Sequence, residues 1–176
     1  GSFVAGINTN AKVQRAVDVA TAGDTIFIQD GTYIEGSQVV IDKDLTVDGQ
    51  SRVGTVLTPG YDTATGGNAR GWWLVNAGID LDVSGLTYDG TGNSVWQAVR
   101  HLGTGSFDDV AFTTIQYSAS GSPYAGTAIA AFGGVGAVDV SNSFFDTIGR
   151  IGMQYFGAGT TGTFSGNTYT GKACLT

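Results

Sequence analysis

An apolar residue followed five places later by an aromatic ring occurs four times in the second half of this chain. The pairs are Val83 and Tyr88, Phe107 and Phe112, Val140 and Phe145, and Phe164 and Tyr169. Their first members stand 24, 33 and 24 residues apart. Two further apolar columns precede them, Val75, Val99, Phe132 and Phe156 at eight residues, and Trp72, Trp96, Ile129 and Met153 at eleven. So regular a period predicts units that bury their apolar sides against one another, since none can do so alone. The surplus of nine residues is expected between Phe112 and Ile129, where Gln116-Tyr-Ser-Ala-Ser-Gly-Ser-Pro-Tyr124 has the composition of a surface loop.

Within each unit, short strand-like pieces such as Ile79-Asp-Leu-Asp-Val83 and Ala137-Val-Asp-Val140 are separated by Gly, Ser, Asn and Asp turns. Short strands at this spacing predict a β-solenoid, in which equivalent side chains form ladders along the axis. A sandwich imposes no such period. Composition agrees: fourteen aspartates stand against one glutamate, Glu35, there are three lysines, and only 13% of residues are charged. Long surface helices need more Glu, Lys and Arg than that.

The N-terminal part departs from the pattern. Val13, Ala16, Val17 and Ala20 recur at helical spacing, with Thr9 or Asn10 as the expected N-cap and Gly23 as the stop. A short helix here would cover the first rung, so residues 1–24 read as leader and capping helix and 25–176 as about six rungs in one domain. Thr25–Ile28, Val39–Ile41 and Leu45–Val47 read as the first strands, and Gly60–Gly71 as a second long loop.

The order of the pieces, a helix, then Ala22-Gly-Asp-Thr-Ile26, Gly31-Thr-Tyr33 and Leu45-Thr-Val-Asp-Gly49, resembles the opening of right-handed parallel β-helix proteins of the pectin lyase-like superfamily. The resemblance covers essentially the whole chain. It implies an all-β, right-handed parallel β-helix and an extracellular or cell-surface setting. It leaves activity open, because that superfamily holds lyases, glycosidases and esterases beside tailspikes, adhesins and non-catalytic repeat proteins.

The net charge of −7 and pI near 4.3, with no Lys or Arg cluster, argue against nucleic acid and anionic membranes as partners. No apolar run approaches the roughly 20 residues of a membrane span. The single cysteine, Cys174, has no internal disulfide partner.

Candidate chemistry falls in one unit. Arg100 and His101 stand where the repeat elsewhere has Asn76-Ala77, Gly133-Gly134 and Gly157-Ala158, and Asp108-Asp109 replaces Ser84-Gly85, Ser141-Asn142 and Ser165-Gly166. As an active site, Asp108 or Asp109 would serve as acid/base or cation ligand and Arg100 would hold an anionic sugar. The bland alternative is a surface Arg-Asp pair beside an isolated histidine, the commoner outcome. Asp108-Asp109 is similar to the Asp-Asp pair of polygalacturonases, but their Asn-Thr-Asp, Gly-His-Gly and Arg-Ile-Lys segments are missing, and no catalytic set of the resembling families carries over residue by residue.

For binding without catalysis, Trp73 is expected to face outward with Gln97, Ala130 and Gln154, and Tyr117 and Tyr124 to sit on a loop beside it, all able to stack on sugar rings. Trp72 and Trp96 are expected inside. No cofactor is implied; calcium at Asp80, Asp82 or Asp89 is the alternative to solvated turn residues. No cap-like segment follows Tyr169, which leads us to expect either further rungs or a homodimer at the C-terminal end. The leading expectation is thus a non-catalytic structural or adhesive module of a larger exported protein, self-associating through that end and in contact with polysaccharide. The rival is a lyase- or hydrolase-like enzyme acting on an acidic polysaccharide.

Overall fold

The computed structural model describes residues 2–5, 12–118, 122–123, 125–133 and 136–172. Among the described residues nineteen strands and one α-helix are wound into a coil, and each of the first five rungs contributes one strand to each of three parallel sheets. The first rung is β2 (Asp24–Ile28), β3 (Gly31–Glu35) and β4 (Val39–Ile41), and the second is β5 (Leu45–Gly49), β6 (Thr55–Pro59) and β7 (Gly71–Val75). The third is β8 (Asp80–Ser84), β9 (Thr87–Asp89) and β10 (Gln97–His101). The fourth is β11 (Thr104–Asp108), β12 (Ala111–Thr113) and β13 (Thr127–Phe132), and the fifth is β14 (Gly136–Ser141), β15 (Phe144–Ile148) and β16 (Ile151–Phe156). A sixth begins with β17 (Thr160–Thr161), β18 (Phe164–Ser165) and β19 (Thr168–Lys172).

The core columns follow from the alternation of strand side chains. In the second sheet Tyr33, Leu57, Tyr88, Phe112, Phe145 and Tyr169 are register partners. Neighbouring strands lie about 4.8 Å apart, close enough for like rings to stack face to face. Tyr88 and Phe112 do so at 4.9 Å and 3°, and Phe112 and Phe145 at 5.3 Å and 13°. Val83, Phe107, Val140 and Phe164 likewise form the expected column in the first sheet.

The same spacing explains the bias for aspartate. Its short side chain reaches a hydroxyl one rung further on: Asp80 accepts from Thr104 (2.6 Å), Asp82 from Ser106 (2.5 Å), Asp139 from Thr163 (2.9 Å) and Asp146 from Thr170 (3.0 Å). In each case the donor is 24 residues later, so the repeat carries both the core columns and these outer ladders.

The third sheet departs from the expected register. Val99 pairs with Trp73 and Ile129, not with Val75 and Phe132. The nine surplus residues are divided: Phe112 and Ile129 stand 17 apart where Tyr88 and Val99 stand 11 apart, and Ile129 and Val140 stand 11 apart where Val99 and Phe107 stand 8 apart. Six extra residues precede β13 and three follow it. An odd number on one side reverses which face a side chain takes if all nine are assigned to the other.

The capping helix α1 (Val13–Val19) starts later than the sequence suggests, with Lys12 extended at the N-cap position; Thr9 and Asn10 lie outside the described residues. The cap comes from across the fold. Glu35, buried at the end of β3, accepts the Val13 N–H at 2.5 Å. Gln14 extends the pairing of β4 sideways, its Oε1 accepting from Val40 N–H at 2.6 Å, and Lys43 Nζ donates to the Val17 carbonyl at 3.0 Å near the helix end. A strand not foreseen, β1 (Ser2–Ala5), pairs in parallel with β2 and covers that edge.

Candidate functional site

The four residues singled out as a possible active site do not converge. His101 aligns with Val75 and Ala131, a core column, and is 1% exposed. Its ring meets Phe107 edge-on at 6.0 Å, and among the described residues neither ring nitrogen has a well-aligned hydrogen-bond partner, the Gly103 backbone making only a weak approach. Burial pushes its pKa down to about 4, against weaker upward pulls from the Gly103 backbone and Asp80. It is a neutral imidazole filling an apolar column.

Asp108 is an outer-ladder residue. It accepts from Ser141 Oγ at 2.6 Å and Asn142 Nδ2 at 2.7 Å, and these bonds hold its carboxyl below the usual carboxylate range. Asp109 occupies the left-handed corner position shared with Gly85, Asn142 and Gly166, at φ 53° beside 64°, 50° and 65°. Asp and Asn are the side chains that tolerate this conformation, so the apparent exception obeys the rule of its column. Its carboxylate pairs with Arg52 at 2.7 Å, not with Arg100.

Trp73 is a correction as well. It is fully buried, aligned with Val39, Val99 and Ile129 and set edge-on to Tyr88 at 5.2 Å. Trp72 is equally buried against Tyr88. Trp96 is buried too, at 6% exposed, but lies before β10, packed on Tyr117 at 4.7 Å with the Arg70 guanidinium 4.9 Å from its ring. Tyr124 lies outside the described residues. Asp80 and Asp82 are ladder acceptors, and Asp89 accepts from Thr91 Oγ1 at 2.6 Å; among the described residues no three His, Cys, Asp or Glu side chains gather as metal ligands do.

Arg100 is placed differently from the expectation and more usefully. It is a strand residue on the outer row of the third sheet with Leu74, Ala130 and Gln154. Its Nε donates to Asn68 Oδ1 at 3.0 Å and one terminal nitrogen to Gln97 Oε1 at 3.2 Å, while its guanidinium carbon stands 4.6 Å from the centre of the Phe132 ring. Phe132 in turn packs on Phe156, ring centres 5.0 Å apart, and Phe156 is 58% exposed. Asn68, Ala77, Arg100, Leu102, Phe132 and Phe156 line an open groove of about 370 Å³. Ala77, Leu102, Phe132 and Phe156 belong to four successive rungs, so the groove runs along the axis for about 14 Å at the strand spacing.

The loops that leave the second sheet wall this face. The loop before β7 ends in a 3-10 turn, Gly67–Arg70, that carries Asn68 and Arg70. Thr63 Oγ1 accepts the Trp96 N–H at 2.7 Å, Asp62 accepts from Ser94 N–H at 2.7 Å, and Val95 N–H donates to the Gln116 carbonyl at 2.6 Å. Among the described residues neither Arg70 nor Arg100 has a carboxylate within ion-pair distance. Burial, and then the nearby Arg70 charge, lower the Arg100 pKa.

With this geometry in view, solved structures are informative. An alginate lyase of the PL6 family, AlyGC in its R241A form, superposes with a TM-score of 0.62 and 14% identity over 96% of this chain and 28% of its own. A pectin methylesterase in complex with a hexasaccharide gives 0.55 and 15% over 90% and 56%, and the pectin methylesterase PemA from Erwinia chrysanthemi gives 0.52 and 15% over the same shares. What they share with this chain is the fold. It is a right-handed parallel β-helix. This chain spans between about a quarter and just over half the length of those proteins. No family model matches it, and no curated protein is similar to it in sequence.

Proposed function

We propose that this chain is a non-catalytic, adhesive segment of a larger exported β-helix protein that holds an extended saccharide along its third sheet. The observation carrying this reading is the axial groove with its Phe132–Phe156 stack, of which Phe156 is more than half exposed. Aromatic faces recognise the C–H faces of sugars, and a groove crossing four rungs suits a ligand that is itself a linear repeat. A pectin methylesterase of the same fold binds a hexasaccharide, which supports the reading at the level of fold. The absence of convergence among His101, Asp108, Asp109 and Arg100 removes the support that the sequence had offered for an enzyme built on them.

Calorimetry with a panel of neutral and acidic hexasaccharides, alongside assays for released reducing ends, unsaturated sugars and methanol, tests this. Binding without product, weakened about three- to tenfold by Phe156→Ala, is expected. Turnover of any member would replace the reading with the carbohydrate-active enzyme. The proposal includes pairing with a second copy at the last described rung, where Phe164 and Tyr169 are 45% and 44% exposed while Phe145, one rung earlier, is buried. Light scattering over a concentration series should then show a dimer; a monomer at every concentration would refute that part.

A further inference from the structure

We infer that Arg70 and Arg100 read the charge of the saccharide, so that this face selects sugars bearing oxyanions, whether carboxylates or sulfate esters, over their neutral or esterified counterparts. The inference rests on the groove reading above. The chain has a net charge of −7, with fifteen acidic residues against eight basic ones, so carboxylates are plentiful. Arg52 pairs with one at 2.7 Å and Lys43 approaches Asp42 at 3.5 Å. Arg70 and Arg100 instead meet on one face, since the Gly67–Arg70 turn that carries Arg70 also gives Asn68 to Arg100, and neither has a carboxylate in reach among the described residues. Like charges brought together unneutralised are costly unless something anionic joins them.

Both side chains are held in position without being neutralised. Each guanidinium lies over an aromatic ring that is itself backed by a second one: Arg70 over Trp96 on Tyr117, and Arg100 over Phe132 on Phe156. Their hydrogen bonds go to neutral acceptors only, Arg70 Nε to the Thr65 carbonyl at 2.7 Å and Arg100 to Asn68 and Gln97. Five N–H donors per guanidinium leave bonds to spare for an oxyanion, and a stacked, hydrogen-bonded guanidinium loses little entropy in making them. Gln97 is itself 1% exposed, so the Arg100 anchor is part of the packed sheet and not a surface accident. The apolar groove and the paired cations together describe a ligand with a flat hydrocarbon face and acidic substituents at its edge.

The test compares four probes by calorimetry: a galacturonate hexamer, its full methyl ester, a neutral glucose hexamer and a sulfated glucose hexamer. The acidic hexamer, or the sulfated one, should bind about ten to a hundred times more tightly than its neutral counterpart, with affinity falling as salt rises. Which of the two acids gains identifies the oxyanion. Arg100→Gln and Arg70→Gln should erase the difference between acidic and neutral hexamers while leaving the melting temperature near the wild-type value; Arg52→Gln, whose partner is Asp109, should change neither. Binding of both the galacturonate and the sulfated hexamer no tighter than their neutral counterparts, with loss on Phe156→Ala, would overturn the charge reading and leave the groove standing. Equal losses for Arg52→Gln and Arg100→Gln would mean a general charge effect and also overturn it. No binding of any hexamer would overturn both.

Discussion

Replacing His101 with leucine should make the protein markedly less sensitive to mild acid. In the folded chain the imidazole is sealed among Val75, Ala131 and Phe107, and its pKa is depressed from 6.5 to about 4. The sign follows from proton uptake. Between those two values the unfolded chain binds a proton that the folded chain refuses, so stability falls as pH drops through 6.5 and the loss is complete below about 4. At about 1.4 kcal/mol per pKa unit, lowering pH from 8 to 5 should cost the wild type about 2 kcal/mol through this one group. In a domain of this size that is a fall of roughly 4–8 °C in Tm. His101→Leu removes the term and also removes two ring nitrogens that lack partners. Urea unfolding followed by tryptophan fluorescence at pH 8, 6.5 and 5 measures it, in a window above the range where ordinary aspartates titrate. If the variant and the wild type lose the same stability between pH 8 and 5, His101 does not titrate as a buried group and the core-column assignment is wrong.

Three further outcomes are expected from urea midpoints. Asp109→Gly should be within about 0.5 kcal/mol of wild type, since only an exposed pair with Arg52 is lost, whereas Asp109→Val at the same left-handed corner should cost about 1–2 kcal/mol. Thr147 is β-branched and held at φ 54°, in a column where Gly171 has φ 60°; Thr147→Gly should gain about 1 kcal/mol, and a loss of that size would show that the threonine is not strained. Glu35→Ala should cost about 1–2 kcal/mol by uncapping α1. Glu35→Gln, which keeps an acceptor oxygen and removes a buried charge whose pKa is raised by burial, should recover most of that loss, as circular dichroism of the helix would report.

Much of the fold was legible because the coil writes its core as a period. The Val83–Tyr88 pattern and its three successors mark two strand columns correctly, and the loop at Gly60–Gly71 and the helix over Val13–Val19 lie where composition and spacing place them. The site was legible only in part. Arg100 stands out as an exception to its column, but it pairs with Leu74, 26 residues earlier, and Trp73 pairs with Val99, 26 later, where a period of 24 aligns Asn76 and Gln97 with them; a one-dimensional alignment has no means of finding that shift, or of dividing the nine later residues into six before β13 and three after it. Arg70 drew no attention, since a lone arginine in a loop carries no pattern until the fold sets it beside Arg100 and over Trp96. A signal did exist: in so acidic a chain, arginines flanked by aromatics and amides instead of acids are unusual.

Local chemistry in the sequence determined that this chain coils, which residues form its aromatic ladder, and where glycine, asparagine or aspartate must turn a corner. Those outcomes depend on side-chain alternation, strand spacing and backbone sterics, all of which act within a repeat. Tertiary structure alone decided that Glu35 caps a helix 22 residues earlier, that His101 is sealed in the core, and that two arginines without a carboxylate partner among the described residues share one face. Those depend on loop lengths and on contacts between rungs, where a shift of a single residue moves a side chain from the core to the surface.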